Sequence, residues 1–300
     1  MPIEMDAFQL DRRQVRDAFD RAAPGYDAAA VLQHEVGARL RERLALTTVR
    51  PARVLDVGCG TGRATRELMR YYRNAQVVAA DFAPAMLRQT RRRFWLRPPA
   101  LVCADAAALP FADAGFDLVF SNLMLQWCDD LDGCLRELRR VTAAHGLLLF
   151  STLGPDTLQE LRAAWSEVDG ATHVNGFVDM HDIGDALIRA GFVEPVMDVE
   201  HITMTYEDVF ALMRDLKRIG AHNVTAGRAR NLTGRERMRK LSAAYEKSRR
   251  DGRLPATYEV VYGTAWAPVF RPDTAYADRR GGVSPEQLRG KLRNRERGND

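Results

Sequence analysis

Residues Val54 to Gly62 read Val-Leu-Asp-Val-Gly-Cys-Gly-Thr-Gly, an acid between β-formers followed by three alternating glycines. Arg63 to Met69 then read as a helix. A buried strand running through a glycine turn into a helix N-terminus makes a cradle for a nucleotide-like ligand. The glycines turn tightly and let backbone approach the ligand, while the helix end offers unpaired N–H groups. The dinucleotide spacing G-x-G-x-x-G needs glycine at position 63, where Arg63 stands. The pattern is instead D-x-G-x-G-x-G. Asp81 closes the apolar run Val77-Val78-Ala79-Ala80, at the distance where an acid meets unphosphorylated ribose hydroxyls. Asp105 and Asn122 follow two further strand-like segments. Each acid alone could be a helix cap. Polar residues at the ends of four successive strands point to a ligand, because that edge is where ligands bind in such sheets.

The elements that must hold these residues alternate. After the glycine turn come strand 76–80, helix 84–94, strand 100–103, strand 116–121, helix 131–141 and strand 146–151. Pro84 suits a first-turn position. This rhythm predicts an α/β fold with a parallel sheet and helices on both faces. Residues 1–48 are expected to form a helical N-terminal cap, broken at Pro24-Gly25, and 49–154 the cofactor-binding core. Beyond position 154 the rhythm changes. A helix is expected over 155–168, irregular chain over 173–179, a helix over 182–190 with Gly191 as its C-cap, a strand over 193–204 and helices over 206–219 and 235–250. A last strand is expected over 257–266. Residues 155–268 therefore read as helical lid elements and closing strands, and 269–300, basic and poor in apolar residues, as a mobile tail.

The apolar share of 46% in 300 residues supports a globular fold with a real core. No apolar run approaches the ~20 residues of a bilayer span, and no apolar signal core follows Met1, so no membrane partner is expected and the cytoplasm is the simplest location. Cys59, Cys103, Cys128 and Cys134 are scattered, which argues against a disulfide framework or a zinc site; no metal is expected. The net charge is only +4, but residues 226–253 hold ten Lys/Arg against three acids. Such a face is either solvated helix or a landing surface for an acidic partner. No nucleic-acid motif accompanies it.

The D-x-G-x-G-x-G loop with Asp81 resembles the first motifs of class I S-adenosylmethionine (SAM) methyltransferases, whose fold is a Rossmann-like doubly wound sheet. The resemblance implies that Asp56, Gly58, Cys59, Gly60 and Gly62 hold the methionine end of SAM. It implies that Asp81 and Phe82 meet the ribose, Asp105 and Ala106 the adenine, and that Asn122 and Leu123 border the methyl-transfer zone. S-adenosylhomocysteine would be the product.

A narrower resemblance follows. Residues 19–27 (Phe-Asp-Arg-Ala-Ala-Pro-Gly-Tyr-Asp), Leu125-Gln126-Trp127, Phe150 to Pro155, Leu158 to Arg162, Met213 to Asn223, Leu232-Thr233-Gly234 and Leu254 to Gly263 are similar to the malonyl-acyl-carrier-protein O-methyltransferase family of biotin synthesis. The similarity spans about residues 12 to 268, and its late motifs are the more specific. It implies methylation of the free carboxylate of a malonyl thioester carried on acyl carrier protein, or on coenzyme A. A carboxylate is already ionised at neutral pH, with an ordinary pKa of about 4, so the acceptor needs orientation and a cation rather than a general base. Arg162 is a candidate for that cation, or equally a surface residue; His173 and Asn175 are weaker candidates. The resemblance implies Tyr26 as a lid over the SAM site, although a core aromatic would read the same. Gln126 and Trp127 are candidates for the acceptor pocket. Arg214, Lys217 and Arg218, at i, i+3 and i+4, share a helical face that could dock the acidic carrier. Three rivals remain at this point: a complex I assembly factor of the same fold, associated with arginine hydroxylation and sharing Leu-Pro-Ala-Thr-Tyr, another small-molecule methyltransferase, which would leave the late motifs without explanation, and a non-catalytic SAM-binding protein.

Overall fold

The computed structural model describes residues 10–94, 98–221 and 234–269. The chain opens with α1 (Arg12–Ala22), capped by Asp11, whose carboxylate accepts the amides of Arg13 and Gln14 at 3.1 Å. After Pro24-Gly25 come a single turn, α2 (Tyr26–Ala29), and α3 (Val31–Glu42). The core then alternates as expected: β1 (Arg53–Val57), α4 (Arg63–Tyr71), β2 (Gln76–Asp81), α5 (Pro84–Arg93), β3 (Ala100–Cys103), β4 (Phe116–Asn122), α6 (Leu131–Val141) and β5 (Thr142–Leu153). The later part supplies α7 (Gln159–Ser166), α8 (Met180–Arg189), β6 (Val193–Tyr206), α9 (Val209–Arg218), α10 (Arg235–Glu246) and β7 (Leu254–Trp266).

The seven strands form one sheet in the order β3-β2-β1-β4-β5-β7-β6. The first five run parallel, and β7 inserts antiparallel between β5 and β6. The central strands are buried on both faces, and the period-2 alternation divides their side chains between two core layers. Val54, Leu118, Phe120 and Leu149 face the layer closed by α3, α4, α7 and α9. Leu55, Val119 and Leu148 face the layer closed by α6 and α8. Full burial of such side chains contributes about 1.5–3 kcal/mol each.

Chain direction across the sheet reverses beside β1, since β2 lies on one flank and β4 on the other. A crevice opens at such a switch point, at the C-terminal ends of the strands. Asp81 and Asn122, the last residues of β2 and β4, stand at that edge. The helix expected over 155–168 begins only at Gln159, because Leu158 takes a left-handed φ of 57° while its amide donates to the Thr257 carbonyl at 2.6 Å. The tail expected over 269–300 lies, from 270 on, outside the described residues, as do 222–233 of the basic stretch.

Candidate active site

The glycine turn is held down on β2 by the amides of Gly58 and Cys59, which both donate to the Ala80 carbonyl at 2.8 and 3.1 Å. Gly58 has φ 74°, and a Cβ there would lie 2.5 Å from the Met124 side chain. Gly60, at φ 55°, faces open space, so the turn presents bare backbone to the crevice. The Gly60 amide donates to Asp81 Oδ2 and the Ala83 amide to Oδ1, both at 2.9 Å. Asp81 is buried, and burial pushes its carboxyl up to about 6 against the pull of those amides. Above that pH it is an ionised acceptor with lone pairs to spare, fixed on the crevice wall. A vicinal diol fits this acceptor.

Asp56 has a different environment. It is buried beneath the turn, accepts the Thr65 hydroxyl, and is pushed up to about 7 by burial. It borders a smaller pocket of about 60 Å³ that includes Cys59, His34 and Arg63 and shares Tyr26, Gly58, Gly60 and Asn122 with the main crevice. Cys59 is buried there, and burial pushes its thiol well up, which makes it a packing residue rather than a nucleophile.

The main crevice is a cavity of about 410 Å³. Gly58, Gly60, Asp81 and Phe82 line one part of it, with Asp105 and Ala106 beside them. Asp105 pairs with Arg12 of α1, so the cap ties across the cavity mouth. Asn122 is fixed at both ends: its Nδ2 donates to the Gln33 carbonyl at 3.0 Å and its Oδ1 accepts from Ser151 Oγ at 2.8 Å. It thereby joins α3 to β5 across the site. Leu123 takes φ 49°, a costly conformation for a leucine, held by its amide donating to the Ser151 carbonyl at 3.0 Å. Tyr26 is half-buried against the cavity, and its hydroxyl is raised by burial and then by the charges of Asp81 and Asp27. Trp127 meets the Phe19 ring edge-on at 5.2 Å, closing the wall between cap and core.

Arg162 is not brought to this cavity. Leu161 and Trp165 turn the buried face of α7 inward, and Glu160 holds that helix on β7 by accepting the Thr257 amide at 3.0 Å. At about 100° per residue Arg162 falls outside that face, exposed, with its guanidinium donating to the Thr157 carbonyl at 2.7 Å. His173 and Asn175 do line the cavity. The sequence reading passed over Gln33, Leu161, Trp165, Met213 and Tyr258, which also line it. For all but the polar Gln33 the signal was apolar periodicity, which marks burial without saying whether a core or a pocket lies on the other side. Arg214, Lys217 and Arg218 are exposed on α9, while Met213 and Leu216 of the same helix face the cavity.

Among the described residues, Asp156, His201 and Glu259 bring possible metal-ligating atoms within 4.8 Å of one another. Glu259 there already accepts the Asp156 amide at 2.7 Å and serves as a loop latch. No helix among them is long and apolar enough to cross a membrane.

The match to a family model described as "Methyltransferase domain" covers residues 55–150, from β1 through most of β5. The fold is similar to that of the YcgJ protein of Bacillus subtilis, with a TM-score of 0.55 at 14% identity over 78% of this chain and 98% of that one. The chain is 56% identical over 276 residues to the malonyl-[acyl-carrier protein] O-methyltransferase of Laribacter hongkongensis, covering 89% of this chain and 93% of the relative. It is 52% identical over 291 residues to the protein of that name from Methylovorus sp., covering 95% and 97%. At this identity over nearly full lengths, the chain belongs to the malonyl-[acyl-carrier protein] O-methyltransferase family of SAM-dependent methyltransferases.

Proposed function

We propose that this enzyme methylates the free carboxylate of a malonyl thioester on acyl carrier protein, using SAM, as the early charge-masking step that the resemblance to the biotin-pathway family implies. The observation that carries the reading is one continuous cavity. It has a glycine turn and a ribose-type acid at one end and an apolar, helix-lined chamber at the other. SAM, when bound, supplies a methyl group already activated on a sulfonium.

The residues fit it. Bare backbone at Gly60 admits the ligand, Asp81 accepts from ribose hydroxyls, and Asp105 with Ala106 borders the adenine. Asp56, Gly58 and Cys59 shape the methionine end, Asp56 from beneath the turn through its bond to Thr65. Asn122 and Leu123 form the rigid floor at the transfer zone, and Phe82 packs beside the ribose acid. Tyr26 roofs the chamber on α2, packed with Leu216 and Ile219 of the α9 segment. With its hydroxyl proton tightly held, Tyr26 acts as a donor and a water-excluding wall rather than a base. No base is needed, because the acceptor arrives ionised. Alignment and exclusion of water are then the main contributions, worth up to about 7–11 kcal/mol of the barrier in well-oriented systems. The exposed cations Arg214, Lys217 and Arg218 support docking of an acidic carrier directly behind the helix that lines the chamber.

The test is transfer of labelled methyl from SAM to malonyl-carrier, with succinyl-carrier and RNA as controls. Label should appear as an ester on the malonyl species. Absence of label there, with the protein folded and binding S-adenosylhomocysteine, would sink the reading.

A further inference from the structure

An acidic acceptor must leave water for a largely apolar chamber, which is costly unless a cation or strong donors meet it. Among the described residues, the cavity wall carries four carboxylates, at Asp81, Asp105, Asp129 and Asp130, and two basic side chains, Arg12 and His173. Arg12 is committed to Asp105 at the mouth. His173 remains. Its ring lies flat on the indole of Trp165, with centroids 3.5 Å apart and planes 8° from parallel. Its Nε2 is 2.7 Å from Asp169 Oδ1, which also accepts the Ala171 amide at 3.0 Å. Burial alone would raise the Asp169 carboxyl, but the hydrogen bonds from His173 and Ala171 win and hold it below the usual carboxylate range. An ionised Asp169 accepts from Nε2–H and fixes the ring's orientation, so that a donor at Nδ1 is the second N–H of an imidazolium. Nδ1 has no hydrogen-bond partner among the described residues, and the buried Oδ1 of the neighbouring Asn175 is likewise without one. Both residues line the chamber, and each has a polar atom without a partner among the described residues.

Resting on the proposed malonyl acceptor, we infer that His173, oriented by Asp169 and Trp165, grips the acceptor carboxylate through Nδ1–H. Asp169 is a positioning residue: it touches the imidazole, and its second oxygen stands 3.8 Å from Arg237 of α10. The arrangement distinguishes substrate from product. The malonyl carboxylate loses its charge on methylation, so the grip that holds the substrate weakens for the ester, and the ester is released.

The test measures binding of malonyl-carrier and of its methyl ester, each in the presence of S-adenosylhomocysteine, to the wild-type enzyme, His173→Gln and Asp169→Asn. The wild type should prefer the charged form. His173→Gln should weaken malonyl-carrier binding about tenfold, the loss of one charge-assisted hydrogen bond, while ester binding stays within about twofold. Asp169→Asn keeps shape and stacking, and should shift the same preference in the same direction by less. Equal losses for acid and ester, or no loss for either, would overturn the inference in favour of packing. S-adenosylhomocysteine affinity must be unchanged in both variants, which separates misfolding. If the wild type itself transfers no methyl to malonyl-carrier, the acceptor reading has failed; if it does while His173→Gln retains the preference for acid over ester, only this inference has.

Discussion

The two ends of the cavity are built in opposite ways. The donor end is made by the sheet: a glycine turn bound to the β2 backbone, and an acid held by two amides from neighbouring loops. Its residues lie close together in the chain, between Asp56 and Asn122. The acceptor end is made by side chains from α1, α2, α7, α9 and β7, brought together from residues 12 to 258. Backbone geometry on a packed sheet tolerates little change and serves one ligand. Side chains on helices can be exchanged without disturbing the sheet, so this end is where the choice of acceptor resides.

The largest effect should come from the donor end. Asp81→Ala removes an ionised acceptor and leaves the Gly60 and Ala83 amides unpartnered. S-adenosylhomocysteine binding should fall about 100-fold, consistent with the loss of charge-assisted hydrogen bonds. Calorimetry reads this directly, and an affinity within about twofold of wild type would remove Asp81 from the ribose site.

Next in size is the pH response of the same group. With Asp81 pushed up to about 6, S-adenosylhomocysteine affinity should be flat above about pH 7 and fall up to tenfold per unit below about 6. Folding stability of the free enzyme should run the other way. Asp56 and Asp81 both have folded pKa values raised above the unfolded ones by burial, so their favourable contribution is complete below about pH 4 and is lost as pH rises through 6 to 7. Opposite slopes for ligand affinity and for this part of apo stability would tie the titration to the crevice, and Asp81→Asn should flatten the first.

At the acceptor end, reversing Lys217 and Arg218 to Glu should lower kcat/KM for malonyl-carrier about fivefold at low salt, with the difference shrinking as salt screens it. Turnover of malonyl-coenzyme A should change little, since neither exposed side chain lines the chamber. An equal loss with both acceptors would mean that α9 itself had shifted.

This contrast also explains what could be read from the chain. The donor end was legible because close backbone approach demands glycine, and a ribose demands an acid at a strand end; both leave residue types at fixed spacing. The strand order was half legible. Alternation announced a parallel sheet, but the insertion of β7 antiparallel between β5 and β6 depends on long-range pairing such as Phe150 with Gly263, which no local pattern reveals. The acceptor end was least legible. Trp165, Met213 and Tyr258 look like core residues, because a pocket wall and a core face demand the same apolar side chains. An arginine is the usual partner of a carboxylate, and Arg162 is the one its residue type brings forward. The inward positions of α7 are Leu161 and Trp165, and His173, in the irregular segment that follows, is seated on Trp165.

Arg162→Ala is therefore the smallest expected effect and the sharpest comparison with His173→Gln. The arginine donates to the Thr157 carbonyl at 2.7 Å from an exposed position, and Thr157 is itself held by the amide and hydroxyl bonds of the β5–α7 loop to Gly154 and Glu259. Removing one exposed hydrogen bond should cost about 0.5–1.5 kcal/mol of stability at most, a shift of a few degrees in Tm. The KM for malonyl-carrier should stay within about twofold of wild type, because no part of the guanidinium lines the chamber. A tenfold rise in that KM with unchanged S-adenosylhomocysteine affinity would return the carboxylate to Arg162. It would also mean that α7 rotates when the carrier docks, since only such a rotation brings position 162 round to the face now filled by Leu161 and Trp165.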